Sequence, residues 1–314
     1  MLLVGLAGTA IGARERDCLA AGQVSGAILG AHNVESREQL QQLVQALRDA
    51  RPEDAFVIGM DRSVMTQAPV CDGFTRLPAP AQLGRAWDDE RGRAVDLAEA
   101  YAWLMASELR AVDIDFALAP FLGPAGERGG QDGGTLHADP VAVAELGQAM
   151  VRGMRLAGMS AVPGDFPGGP ATGWRDMDDA RYRPFADAMA SGAEAMMIAS
   201  GAHGRTAMPM RAWINGALRG EPGFRGLVIA DAGAPADLAG SIHACHDAGC
   251  DLIAVRRPER IEAALDAVRD LPPCDPADVF RLRGAIAATW SALEDNPQRD
   301  EFIARIRALD GEQS

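Results

Sequence analysis

The 314-residue chain is poor in several residue types, and each shortage closes off a class of function. Cysteine numbers only 5 (Cys18, Cys71, Cys245, Cys250, Cys274), an odd count with no CxxC pair. Scattered thiols of this kind build neither a disulfide framework nor a structural zinc site, and they fit a reducing compartment. His243 and His246 lie three apart on one predicted helix and would need further ligands to hold a metal, so no metal site is expected. Basic residues are in the minority, 30 Lys and Arg against 44 Asp and Glu, which gives a formal charge of −14. Nucleic acid is therefore not the expected partner, because phosphate binding needs clustered Lys and Arg. No apolar run is long enough to span a membrane, which takes about 20 residues. The opening MLLVGLAGTAIGA lacks a basic leader, and Gly and Thr interrupt its short apolar run. It reads as a first strand rather than a secretion signal. The Gly-rich stretch 123–134 has neither GK[ST] nor GxGxxG in a strand–helix turn, so no nucleotide site and no cofactor are expected.

What is present is an alternation. Hydrophobic residues make up 48% of the chain and glycine numbers 35, a globular composition with many turns. Short apolar runs at 2–7, 25–31, 55–60, 115–120, 160–164, 195–200, 226–231 and 251–255 read as strands. Amphipathic segments separate them, as in βαβ units. Ser36 opens one helix with Gln39 three residues on, the spacing of a capping box, and Leu40, Val44 and Leu47 mark its buried face. A long helix over 91–112 buries Leu97, Tyr101, Leu104 and Val112. Pro140 starts another behind Asp139 as N-cap. The stretch from Arg62 to about Gln82 reads as loop, and two helices follow Asp275. Eight strands with intervening helices predict an α/β fold, a (β/α)₈ TIM-type barrel over 1–270 with a C-terminal helical extension over 275–314. A doubly wound sheet is the alternative.

In such a barrel the C-terminal strand ends face the active-site mouth. The run Leu227, Val228, Ile229 stops at Asp231, and AFVIGM (55–60) stops at Asp61. A carboxylate at a strand end is placed to serve as the nucleophile of a retaining glycosidase, which also needs an acid to protonate the leaving oxygen. Asp165, Asp176, Asp178, Asp179 and His203 fall in loop regions near the mouth and are candidate acids; solvated loop residues or helix caps are the plainer reading. His137 reads as a turn residue in LHADP, and Cys71 as an unreactive thiol with no base beside it.

Several segments carry a resemblance. SGAILGAHNVESREQL, GFTRLP, WLMASELRAVDIDFALAPFL, LHADP, RGMRLAGM, DFPGG, GFRGLVIAD and DAGCDLIAV occur in the order found in bacterial β-N-acetylhexosaminidases of glycoside hydrolase family 3. The resemblance covers roughly residues 2–257. It implies a cytoplasmic barrel protein related to enzymes that trim N-acetylglucosamine from muropeptides in cell-wall recycling. It also implies retaining hydrolysis through an Asp nucleophile, with a His on a loop as acid/base. Asp231 stands at the nucleophile position, flanked by Ala230 and Ala232, and Asp61 at the position of an Asp that binds sugar hydroxyls. The sugar-binding Lys and His fall on Gly164 and Asp165. A second His falls on Gly169, a binding Arg on Gly134, and a His after strand six on Ser200. Pro170–Ala180 holds no His in place of the acid/base. The resemblance therefore implies a barrel that keeps Asp231 as nucleophile position and Asp61 and Asp165 as substrate-binding positions, with much of the catalytic apparatus lost. The expected partner is a carbohydrate of N-acetylglucosamine type, a cell-wall fragment, or a protein. The alternative is a working hydrolase with a replaced acid/base, or an enzyme of new specificity in the same mouth.

Overall fold

The computed structural model describes residues 1–52, 55–61, 73–123, 134–167, 179–198, 208–220, 222–233 and 236–311. Nine parallel strand segments form one sheet: β1 (Leu2–Gly5), β2 (Val24–Leu29), β3 (Val57–Met60), β4 (Phe116–Ala117), β5 (Ser160–Ala161), β6 (Gly164–Phe166), β7 (Ala195–Ile198), β8 (Leu227–Asp231) and β9 (Leu252–Val255). Their order, β5-β4-β3-β2-β1-β9-β8-β7-β6, has its two ends in one predicted strand. β5 and β6 are halves of that fifth strand, parted at Val162 and Pro163. The ladder nevertheless continues through it. On one side Val162 N donates to Ala117 O (3.2 Å) and Gly164 N to Pro120 O (3.0 Å); on the other, Met197 N donates to Pro163 O (2.8 Å). The result is a (β/α)₈ barrel. The break follows from Pro163, which has no N–H to give.

Side-chain parity within each strand decides what faces the lumen. Leu3 of β1 lies in the barrel interior while Leu2 and Val4 pack outward against the helices. In β8, Leu227 and Ile229 face in and Val228 and Ala230 face out; in β9, Leu252 and Ala254 face in and Ile253 and Val255 face out. The interior is filled, as in other barrels of this class. Phe116 crosses it directly over Gly59, where a Cβ would stand 2.1 Å from the ring, so only glycine fits there. Val279 and Leu282 of the C-terminal extension join this interior cluster.

The helices wrap the outside. Ser36 caps Arg37–Ala50, its Oγ accepting from Gln39 N (3.2 Å), but the Gln39 side chain returns to Glu35 N (2.9 Å), one residue before the position a capping box predicts. Asp139 Oδ1 caps Pro140–Leu156 by accepting from Val141 N (2.8 Å). A helix at Ala81–Asp89 begins where the stretch read as loop ends and occupies residues to which the sequence reading assigns no element. It buries Leu83 and passes Gly84 against the Leu136 carbonyl, 2.0 Å from where a Cβ would sit. The long helix ends at Arg110, and Val112 is buried just beyond it. The tail holds three helices where two are expected, Pro276–Phe280, Trp290–Glu294 and Pro297–Gly311. They pack on the barrel through Phe302 against Trp103 (5.3 Å) and Arg299 Nη2 on Glu108 Oε1 (2.8 Å).

At the N-terminal end of the barrel one device recurs. Asp115, Glu194 and Asp251 each precede a strand and accept a backbone N–H from the neighbouring strand: Ile58 N (2.8 Å), Ala161 N (3.0 Å) and Val228 N (2.7 Å). Each is also paired with arginine. Arg48 Nη2 lies 2.7 Å from Asp115, Arg155 Nε 3.2 Å from Glu194, and Arg219 Nη2 2.9 Å from Asp251. These carboxylates lock strand register from below.

Asp115 is fully buried, so Asp115→Asn leaves its arginines without their counter-charge. Breaking a buried pair on one side costs roughly 3–5 kcal/mol, and the urea midpoint of Asp115→Asn is expected to fall accordingly. Burial raises Glu194 above its ordinary 4.5, against the opposing pull of the Ala161 N–H and Arg155. A raised carboxylate contributes fully below its unfolded value and loses that contribution as pH climbs through the folded one. The stability of the wild type relative to Glu194→Gln is therefore expected to decline as pH rises above 4.5, read by urea titration at a series of pH values.

Candidate active site

Extending the inward parity by one step identifies the residues at the mouth. Val57 and Gly59 lead to Asp61, Leu227 and Ile229 lead to Asp231, and Leu252 and Ala254 lead to Arg256. These three residues, far apart in sequence, meet at the C-terminal rim. The Arg256 guanidinium lies between the two carboxylates. Its Nε donates to Asp231 Oδ2 at 2.6 Å, and its Nη1 contacts Asp61 Oδ2. Its Nη2 stands 3.9 Å from Met197 Sδ, at the top of the lumen. Asp231 Oδ1 accepts from Gly233 N at 2.8 Å, where Gly233 takes a φ of +65°. That glycine lets the chain turn back at once and present its amide to the carboxylate.

The charges are sealed to different degrees. The Asp61 and Asp231 side chains are 9% and 10% exposed, whereas that of Arg256 is 36% exposed. Burial pushes the Arg256 guanidinium down to about 10, still far above neutrality, so the cationic form makes the bridge. One positive charge faces two negative ones. Each carboxylate thus gains a charge-assisted hydrogen bond, and the pair is relieved of the mutual repulsion two bare carboxylates would suffer.

The rim beside them is pinned by Asn33, fully buried at the exit of β2. Its Nδ2 donates to Leu6 O (3.1 Å) and Gly8 O (2.8 Å), and its Oδ1 accepts from Gly30 N (2.8 Å). His32 Nε2 lies 2.9 Å from the same Leu6 carbonyl. Asn33 is spent on shaping the first two exit loops.

Of the residues singled out in the sequence, Asp61 and Asp231 are brought together. Asp165 falls within β6, but its side chain, like Cys71, Gly169, Asp176, Asp178, Ser200 and His203, lies outside what the structure describes. Asp179 is an exposed residue opening the helix Asp179–Ala190. His137 is a turn residue whose Nδ1 accepts from Asp139 N (2.9 Å). His243 and His246 sit on the outer helix Leu238–Ala248, with His243 Nε2 2.8 Å from Ala267 O. No group of three or more His, Cys, Asp or Glu is placed to hold a metal ion among the described residues. Sequence reasoning missed Arg256. The signal was available: it is the next inward position after DLIAV, the same register that picks out Asp61 and Asp231.

A (β/α)₈ barrel with acidic side chains gathered at its C-terminal mouth belongs to a class that includes many glycosidases. The comparisons narrow this. Residues 2–272 match the model of the glycosyl hydrolase family 3 N terminal domain. The chain is 34% identical over 320 residues to a beta-hexosaminidase of Stenotrophomonas maltophilia (strain R551-3), covering 93% of this chain and 94% of that protein. It is also 34% identical over 343 residues to a beta-hexosaminidase of Thioalkalivibrio sulfidiphilus (strain HL-EbGR7), covering 98% and 96%. Its fold is similar to that of NagZ from Neisseria gonorrhoeae in complex with zinc ion, with a TM-score of 0.85 over 98% of this chain and 97% of that one at 24% identity. The same protein in complex with N-trifluoroacetyl-D-glucosamine gives a TM-score of 0.84 over the same shares at 23% identity. The chain belongs to glycosyl hydrolase family 3, among its beta-hexosaminidase-like members.

Arg256→Gln removes the cation and leaves Asp61 and Asp231 without it. The expected loss of stability is roughly 1–3 kcal/mol, less than for a sealed pair because the guanidinium is partly screened by solvent. Thermal unfolding of wild type and variant checks both sign and size.

Proposed function

We propose that this chain is a hexosaminidase-like family member that holds a sugar of N-acetylglucosamine type at the barrel mouth and has little or no hydrolase activity. The observation that carries the reading is the Arg256 bridge. Asp231 stands where the family resemblance puts the nucleophile, but its carboxylate is hydrogen-bonded to the guanidinium, which lowers its reactivity toward an anomeric carbon. Asp61, the position suited to bind sugar hydroxyls, is engaged by the same cation. The sequence supports the reading further: Gly164 and Asp165 stand where a Lys and a His are expected, and Pro170–Ala180 brings no His to act as acid. General acid catalysis contributes roughly 10²- to 10⁴-fold, so its loss alone leaves hydrolysis slow. Asp165 is assigned with Asp61 to contact the sugar. We further assign residues 1–270 to the sugar-holding barrel and 275–314 to a packed extension without a part in the mouth, and the whole to the cytoplasm, in line with the scattered free thiols.

A second reading, a working retaining hydrolase with a replaced acid, is favoured by one observation. Both Asp231 oxygens accept hydrogen bonds from fixed donors, which keeps an ionised nucleophile in one orientation. One assay separates the two. An activated aryl N-acetylglucosaminide has a good leaving group and needs little acid help, so it is a generous test of Asp231. Wild type and Asp231→Asn are expected to release the aryl group at the same background rate. Release by the wild type that Asp231→Asn abolishes would establish the second reading. Calorimetric titration with N-acetylglucosamine is expected to show weak binding that Asp61→Ala removes.

A further inference from the structure

The opposite end of the barrel carries a cleft of about 620 Å³ between the C-terminal turns of the helices Arg37–Ala50 and Arg91–Arg110 and the tail segment 280–289. It lies at the N-terminal strand ends, where Asp115 leads into β4, and so is remote from the mouth. Its size falls within the range of small-molecule sites, about 300–1,000 Å³.

Three observations on the cleft are independent of one another. The first is charge. The guanidinium groups of Arg48, Arg110 and Arg283 gather around only two carboxylates, Asp113 and Asp115. One positive charge is in excess, in a chain whose formal charge is −14. The second is access. Arg110 is 4% exposed, whereas the Arg48 and Arg283 side chains, 14% and 24% exposed, border the cleft, so theirs are the guanidinium groups a ligand meets. The third is the rim. Phe280 (52% exposed) and Ile286 (fully exposed) both border the cleft, and they are two of the three large hydrophobics exposed among the described residues. Exposed apolar side chains gathered beside a pocket mark binding surfaces more often than chance scatter does.

We propose that this cleft binds an organic mono-carboxylate with an apolar body. The arginine floor takes the carboxylate, for which guanidinium is the matched donor. Phe280 and Ile286 cover the apolar part. Such a group exists on a fatty acid and on the C-terminus of an apolar peptide, and the two sources are told apart by the probes. A multiply charged anion such as inorganic phosphate carries more charge than the single excess guanidinium balances and leaves the apolar rim uncovered.

The test is calorimetric titration of the full chain with octanoate, with N-acetyl-trileucine as free acid, and with the same peptide as C-terminal amide. At least one carboxylate probe is expected to bind saturably, and the one that does names the source; the amide and inorganic phosphate are expected not to bind. Ile286→Asp sets a negative charge on an exposed position and leaves the core untouched. It is expected to weaken binding by about tenfold or more, the scale of one charged contact. Arg283→Gln should do the same, with unfolding temperature as the check that the fold persists. Asp231→Asn at the far end is expected to leave binding unchanged. No binding of either carboxylate, equal binding of acid and amide, or binding that survives Ile286→Asp would overturn the proposal.

Discussion

The ladder of backbone hydrogen bonds that runs from β1 round the barrel and through the broken fifth strand gathers every strand's C-terminal end at one rim. It also fixes which residues of each strand look inward. Asp61, Asp231 and Arg256 have no sequence proximity, yet the period of two carries each of them past an inward glycine or aliphatic residue to the same mouth. Had any of these strands slipped by one residue, its charged end would have turned toward the helices. The carboxylates at the other end guard against that slip. Asp115, Glu194 and Asp251 each hold the amide of the neighbouring strand and an arginine at the same time. Stability is thus concentrated at one end and the candidate chemistry at the other, the usual division in such barrels.

The bridge at the mouth changes what the site can do. A retaining glycosidase needs a nucleophile with electron density to give and an acid to assist the leaving group. Here Asp231, the residue proposed for the nucleophile position, is tied together with Asp61 to a cation from the last strand. The mouth presents a guanidinium between two carboxylates, a surface with donors and acceptors that suits the proposed sugar ligand. Such a surface suits binding, and binding alone does not accelerate a reaction.

Much of this was legible in the residues. Eight apolar runs separated by amphipathic segments specify the barrel, and the strand-end positions of Asp61 and Asp231 follow from the same pattern. The split of the fifth strand is a consequence of Pro163, visible in SAVPG but readable there only as weakness. The helix Ala81–Asp89 escaped because its burial rests on Gly84 passing the Leu136 backbone, a contact across some fifty residues that local periodicity does not report. Arg256 escaped for a different reason. A charged residue after an apolar run reads as the start of a loop, and only its shared parity with Asp61 and Asp231, in a closed barrel, makes it part of the site. The cleft at the far end depends on three arginines from separate elements and on the irregular tail segment 281–289 between two helices, which no motif announces.

The Arg256 bridge is tested most directly by a high-resolution crystal structure of the unliganded protein, refined with attention to Arg256. The expected result is a well-ordered guanidinium with Nε within hydrogen-bond distance of Asp231 and Nη1 against Asp61. A side chain turned out to solvent, leaving both carboxylates facing an open mouth, would contradict it and return the site to the geometry of an ordinary hydrolase.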